Sequence, residues 1–231
     1  MKKISVITPV YNEIFNLERN INQIQQHLKS QNYEIIIVDD NSPDGSGLLA
    51  DFLARKNPKI KVLHRKEKMG LGTAYKEGFS LTQGKFIVSM DSDLSHDASY
   101  LPQMIECAEN YDIVIGSRFI DEGKIIGRSI WRDSLSLIAN YFIRSLTGKK
   151  VNDWTSGLRV YRRETWRDVM PMVNCNKWDF QFESLYKAIQ EGFTVTEIPI
   201  TFHERANGKS KFNLSEALSF LKSFIKIVYD V

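Results

Sequence analysis

The run Glu34-Ile35-Ile36-Ile37-Val38 leaves little choice of local structure. Four β-branched side chains in a row favour extended backbone, and a continuous apolar run suits a parallel strand covered on both faces. It stops in Asp39-Asp40-Asn41-Ser42-Pro43-Asp44-Gly45, a dense group of turn-forming residues. The same plan recurs along the first half of the chain. Ile4 to Thr8 reads as a strand ended by Pro9, and Phe15 to Leu28 as a helix with apolar residues at 17, 21, 24 and 28. Leu48–Ala54, Thr73–Leu81 and Tyr100–Ala108 read as helices; Ile60–Leu63, the Phe86-Ile87-Val88 core of Gly84–Ser89, and Asp112–Gly116 read as strands. This alternation predicts an α/β fold with a Rossmann-like, doubly wound, mostly parallel sheet flanked by helices.

Ligands in open sheets of this kind bind beyond the carboxyl ends of the strands. Three predicted strand ends carry polar clusters: Pro9-Val10-Tyr11-Asn12-Glu13, the Asp39–Asp44 turn, and Asp91-Ser92-Asp93-Leu94-Ser95-His96. Residues two apart in extended backbone point the same way, so Asp91 and Asp93 can converge on one hard cation. Mg²⁺ or Mn²⁺ held by one or two carboxylates completes its shell with phosphate oxygens and water. An isolated Asp-x-Asp is more often solvated turn chemistry, so the case rests on the rest of the chain.

Composition narrows the field. Of 231 residues, 42% are hydrophobic and 26% charged, ordinary values for a globular protein. No run of eighteen apolar residues occurs, and Met1-Lys2-Lys3 leads straight into a strand, so neither a membrane span nor a signal peptide is read. Cys107 and Cys175 lack metal-type spacing and suit free thiols in a reducing compartment. Residues 1–117 carry 13 Lys+Arg against 15 Asp+Glu, whereas residues 118–231 carry 18 against 13. An acidic half suited to a metal thus precedes a basic half suited to an anion, and nothing resembles a nucleic-acid module. Gly70-Leu71-Gly72 lacks the third glycine of a dinucleotide fingerprint, and Gly208-Lys209-Ser210 lacks the earlier glycine of a P-loop.

Taken together, several strings resemble one family. They are Val6–Glu13, Val38–Gly45, Asp91–His96, Gly116-Ser117-Arg118, Asp153–Arg159, Phe180–Glu183 and Ile198–Arg205. The chain resembles the inverting family 2 glycosyltransferases of the GT-A fold, within them the polyprenyl-phosphate sugar synthases. The Asn-Ser-Pro-Asp-Gly turn, the Asp-x-Asp-Leu-Ser-His form and Glu204-Arg205-x-x-Gly208-x-Ser210-Lys211 carry the narrower likeness.

That resemblance implies a nucleotide-diphosphate sugar as donor, contacted by Pro9, Tyr11, Glu13, Val38, Asp40, Asp91, Ser92, Asp93, Arg205 and Lys211. It implies Asp91 and Asp93 as holders of Mg²⁺ or Mn²⁺. Relatives often carry Gln where Ser95 stands, a weaker ligand. It implies Arg118, Arg132, Ser136 and Arg205 around the acceptor phosphate, and Asp91, Asp93 and Arg205 as the catalytic group. The expected reaction moves a sugar, mannose from GDP-mannose first and a UDP-sugar second, to a polyprenyl monophosphate at the cytoplasmic face of a membrane. A homo-oligomer or a membrane partner subunit remains open.

The basic half has two further features. Residues 127–148 show a helical pattern on which Arg128, Arg132 and Ser136 fall four apart, a row that either grips phosphate or is simply solvated. Asn213-Leu214-Ser215-Glu216 fits a capping box opening an amphipathic helix over 213–231, which packs on a core or lies in a membrane interface. The expected division is a catalytic domain over 1–212, with a donor half 1–117 and an acceptor half 118–212, followed by that helix. Two rival activities stay in view: transfer to a saccharide hydroxyl, with Asp153 or Glu183 as base, and nucleotide-sugar binding without turnover.

Overall fold

The computed structural model describes residues 4–127, 130–177, 179–204, 224 and 226–228, with the side chains of residues 130–135 outside that description. The chain opens with β1 (Ile4–Val10), α1 (Leu17–His27), β2 (Tyr33–Asp39), α2 (Ser46–Lys56) and β3 (Ile60–His64). It continues with α3 (Leu71–Phe79), β4 (Phe86–Ser89), α4 (Leu101–Cys107) and β5 (Ile113–Ser117). Then come β6 (Lys124–Ile126), α5 (Ile130–Thr147), β7 (Arg159–Arg162), α6 (Arg163–Val169), α7 (Asp179–Gln190), β8 (Val195–Pro199) and β9 (Thr201–His203).

Seven strands form one sheet in the order β3-β2-β1-β4-β7-β5-β8, and β6 pairs with β9 in a small second sheet. All pairings in the main sheet are parallel except those of β7, which runs antiparallel between β4 and β5. The sheet is buried on both faces, as the unbroken apolar runs predict. In β2, Ile35 and Ile37 face a core shared with Leu17, Ile21 and Ile24 of α1 and Leu101 and Met104 of α4. Ile36 and Val38 face the opposite core, with Tyr75 of α3, Trp166 of α6 and Phe180, Phe182 and Leu185 of α7. Each such fully buried aliphatic side chain contributes roughly 1.5–3 kcal/mol.

Two details depart from the sequence expectation. Pro9 does not end β1; the strand runs on to Val10, with Pro9 opposite Val38. Because β4 pairs no further than Ser89 opposite Ile7, the ladder at Pro9 has one neighbour instead of two, and a missing N–H is tolerated there. The boundary at residue 117 also divides no structure, since β7, from the second half, lies between β4 and β5, from the first.

Of the terminal helix expected over 213–231, Phe224 and residues 226–228 are described and helical. Phe224 is buried against Phe142 and Phe182, with ring centroids 6.2 and 5.1 Å apart. No helix among the described residues is long and apolar enough to cross a membrane.

Candidate active site

The sheet order makes β2, β1 and β4 neighbours, so their carboxyl ends lie side by side. They bound a cavity of about 430 Å³ lined by Pro9, Val10, Tyr11, Glu13, Asp40, Asp91, Ser92 and Asp93. The remaining walls are Lys68, Met69, Gly70, Leu71 and Lys177. Short bonds lash the three ends together: Asp40 N–H to Val10 O at 3.0 Å, Met90 N–H to Ile7 O at 3.2 Å, and Ser92 Oγ to Pro9 O at 2.8 Å.

The Asn-Ser-Pro-Asp-Gly turn serves as scaffold. Burial alone would push the Asp44 carboxyl up, yet bonds from the Ser46 hydroxyl and the N–H groups of Ser46 and Ile14 hold it below the usual range. The Ser42 and Ser46 hydroxyls in turn accept the N–H groups of Asn12 and Glu13, fixing the turn after β1 against the turn after β2. Glu13 faces the cavity and accepts Asn16 Nδ2 at 2.7 Å.

Asp40 sits on the cavity wall with Arg65 Nε behind it at 3.2 Å. Burial raises the Asp40 pKa, opposed by Arg65 and then by Lys68. The Lys68 ammonium also rests 4.4 Å from the centre of the Tyr11 ring. Val38, expected near the nucleoside, is wholly buried on the α3 side of the sheet and does not line the cavity.

The Asp91–His96 stretch turns back on itself. Leu94 adopts φ 66°, a left-handed conformation costly for a branched side chain. This turn sets the Ser95 N–H and hydroxyl 3.0 and 2.6 Å from Asp93 Oδ1. Ser95 is therefore a prop for Asp93; it is 1% exposed and does not line the cavity. Asp91 accepts the Tyr75 hydroxyl at 3.3 Å, and His96 Nδ1 lies 3.9 Å from its other oxygen. Gly157 presses on the same carboxylate: a Cβ there would stand 3.2 Å from Asp91 Oδ2.

This donor set fits a hard divalent cation. Two carboxylates, one oriented by a hydroxyl and an N–H, face a cavity open to phosphate oxygens. No cluster of three His, Cys, Asp or Glu exists among the described residues, so substrate and water would complete the shell, as is usual for Mg²⁺.

Arg118, expected at the acceptor phosphate, follows the end of β5 and is gripped by Asp153. Its Nε and Nη2 each donate at 2.7 Å to one carboxylate oxygen, and Nη2 also donates to Thr155 Oγ1 at 2.7 Å. Burial alone would raise the Asp153 pKa, but the Arg118 charge and hydrogen bonds carry it below the usual range. Thr155 connects this pair to α5 through Asn140 Nδ2 at 3.4 Å, and Asn140 bonds the Ser136 carbonyl one turn earlier. Arg118 and the Ser136 turn of α5 are thus brought together. The Arg132 side chain and all of Arg128, Arg205 and Lys211 lie outside the described residues. His203, the last residue of β9, donates its N–H to Ser95 O at 3.0 Å, next to the Asp91–Asp93 turn.

Sequence reasoning missed Lys68, Gly70 and Lys177. Gly70, set aside as a failed fingerprint, has φ 108° and lies so near Asn176 O that a Cβ would approach to 2.2 Å. Asn176 O also accepts the Gly72 N–H at 2.9 Å, which docks the segment carrying Lys177 against the start of α3. Only the positive φ was open to prediction, from the glycine itself.

Residues 5–169 match the family model described as Glycosyl transferase family 2. The chain belongs to that family. It is 39% identical over 222 residues to a polyprenol monophosphomannose synthase of Mycolicibacterium smegmatis, covering 92% of this chain and 83% of the relative. It is 35% identical over 215 residues to an undecaprenyl-phosphate mannosyltransferase of Micrococcus luteus, covering 91% and 88%. Its fold is shared with glucosyl-3-phosphoglycerate synthase from Mycobacterium tuberculosis in complex with Mn²⁺, uridine diphosphate and phosphoglyceric acid. There the TM-score is 0.75 at 18% identity, over 99% of this chain and 78% of the other. The sheet is accordingly of the GT-A type.

Proposed function

We propose that this glycosyltransferase moves a mannosyl residue from GDP-mannose to a polyprenyl monophosphate, inverting the anomeric centre, with Mg²⁺ or Mn²⁺ bound at Asp91 and Asp93. Two relatives named for mannosyl transfer to polyprenyl phosphates support the substrates. The geometric observation that carries the reading concerns the two candidate bases. Asp153 is locked to Arg118, and Glu183 accepts the N–H groups of Asn174 and Cys175 at 2.9 and 2.7 Å. Neither is placed to deprotonate a hydroxyl. A phosphate monoester is already an anionic nucleophile and needs no base, which disfavours the saccharide-hydroxyl rival.

In this reading Tyr11 stacks on the base, while Asp40 and Glu13 accept hydrogen bonds from base N–H groups and ribose hydroxyls. Arg118, with Arg132 and Ser136 of α5, orients the acceptor phosphate. One phosphate oxygen attacks the anomeric carbon from the face opposite the diphosphate. The sugar C–O bond breaks, and its electron pair departs on the nucleoside diphosphate. Positioning and charge neutralisation then dominate catalysis. When bound, the divalent cation supplies Lewis-acid stabilisation of the leaving diphosphate. Arg205 adds positive charge there: it follows His203 by two residues, at most about 7 Å of chain from a strand end bonded to Ser95.

The test is transfer of label from GDP-[¹⁴C]mannose to a short-chain polyprenyl phosphate with Mn²⁺, alongside UDP-glucose. Label should enter the lipid fraction from GDP-mannose and cease on chelation. Undiminished transfer by Asp93→Ala in chelator, label found only in water-soluble glycan, or nucleotide-sugar binding without turnover would overturn the proposal.

A further inference from the structure

Three arginines are buried among the described residues: Arg65, Arg118 and Arg159. Two of them act as staples. Arg159 donates to the carbonyls of Trp154 and Gln181, and Arg118 forks onto Asp153. Arg65 does neither. Its side chain is 1% exposed, yet Nε and both Nη atoms make no hydrogen bond among the described residues. Burying a cation whose N–H groups stand idle is costly, which points to a use for the charge itself.

The charge faces Asp40. Asp39 lies opposite His64 at the end of the β2–β3 ladder, so the next residues, Asp40 and Arg65, leave the sheet side by side. Main-chain bonds pin both: Arg65 N–H to Asp39 O at 2.8 Å, and Asp40 N–H to Val10 O at 3.0 Å. Arg65 Nε thereby stands 3.2 Å from Asp40 Oδ1, itself a buried oxygen with no hydrogen bond, while Asp40 lines the cavity. Three further charges bear on this carboxylate: Lys68 from the segment before α3, Asp39 from its own strand, and Glu77 of α3. Glu77 also approaches Arg65 Nε, to 3.8 Å. Burial, with Asp39 and Glu77, raises the Asp40 pKa, and Arg65 is the strongest opposing influence.

We propose that Arg65 is a positioning residue for the sugar donor: its guanidinium holds Asp40 as an anion by one oxygen and leaves the carboxylate turned to accept an N–H of the nucleobase. This deepens the nucleotide-sugar reading and rests on it. A neutral Asp40 is a weaker acceptor and carries its own proton, so affinity is lost with the charge. Lysine would keep the charge without the planar geometry that aligns the carboxylate.

The experiment follows GDP-mannose binding by calorimetry with Mn²⁺ and no acceptor, between pH 6 and pH 8, alongside UDP-glucose. The wild type should change little across this interval. Arg65→Gln should bind roughly tenfold more weakly at pH 6 than at pH 8, since an adjacent arginine lowers a carboxyl pKa by about 1–3 pH units. Arg65→Lys should weaken binding at both pH values and add no pH dependence. Asp40→Asn should bind weakly throughout, and adding Arg65→Gln to it should cost no further affinity. A carbon-13 titration of the Asp40 carboxyl tests the pair with no ligand present: its midpoint should rise by about 1–3 pH units in Arg65→Gln. If UDP-glucose binds and GDP-mannose does not, the base assignment is wrong and the pH comparison is made with UDP-glucose. If neither binds, the donor reading fails and the carboxyl titration decides the pair. Should Arg65→Gln misfold by circular dichroism, Arg65→Lys decides. The proposal falls if the Asp40 midpoint does not move, or if Arg65→Gln weakens binding equally at both pH values. It falls also if the losses in Asp40→Asn and Arg65→Gln add, or if Arg65→Lys binds the sugar donor like wild type.

Discussion

Ser95 holds Asp93 by one oxygen, with the hydroxyl at 2.6 Å and the N–H at 3.0 Å. Residues that orient a metal-binding carboxylate typically change affinity 10- to 100-fold when lost. Ser95→Ala should therefore raise the Mn²⁺ concentration needed for half-maximal transfer roughly tenfold, with a stability loss of about 1 kcal/mol. Metal titration at saturating donor checks it; an unchanged midpoint would return Ser95 to a purely structural role.

Removing one partner of a buried ion pair leaves the other charge uncompensated, at about 3–5 kcal/mol. Asp153→Asn should destabilise by about 3 kcal/mol in urea denaturation and release Arg118 from its fork, raising the apparent KM for lipid phosphate more than that for donor. The depressed Asp153 pKa adds an acid limit: its stabilisation is present above the unfolded carboxylate value of about 3.9 and disappears as pH falls through the lower folded value.

Gly70→Ala combines a left-handed backbone with contact against Asn176 O. The clash is with main chain, so no side-chain rotation relieves it. A loss of at least about 2 kcal/mol in thermal unfolding is expected, with weaker nucleotide-sugar binding because the segment bearing Lys177 is displaced. A fully stable Gly70→Ala protein would contradict this packing.

His64 bridges two acids, with Nε2 2.9 Å from Asp51 and Nδ1 3.1 Å from Asp39. The Asp51 bond, aided by Asp39, outweighs burial and raises its pKa. This stabilisation is complete below the unfolded value near 6.5 and fades as pH rises through the higher folded value. Being half exposed, the bridge is worth at most about 1 kcal/mol. The melting-temperature gap between wild type and His64→Gln should narrow from pH 6 to pH 8.

The parallel core was legible because its strands announce themselves: Ile35-Ile36-Ile37-Val38 has no polar residue to permit another reading. β7 was not, because Arg159-Val160-Tyr161-Arg162 places a guanidinium at the centre of a sheet. Arg159 is fully buried there, donating to the carbonyls of Trp154 and Gln181, a solution that only tertiary structure supplies. The cavity's acidic residues were legible from their strand ends. Its cations were not, since Lys177 reaches the cavity through a backbone bond between Asn176 and Gly72, about a hundred residues apart. The placement of Val38 shows the converse: a motif position can serve the core beneath a site.

The antiparallel β7 has a consequence for how the chain is assembled. Because residues 159–162 lie between β4 and β5, the first 117 residues hold a sheet with a missing plank. A fragment ending at Ser117 would lack β7 and β8 and so expose one edge of β4 and both edges of β5, a setting for aggregation more than for independent folding. The strand ends around the cavity and the end of β5 before Arg118 belong to one continuous hydrogen-bonded sheet. The distance from the cavity at the ends of β2, β1 and β4 to Arg118 beyond β5 is set once, when the chain folds.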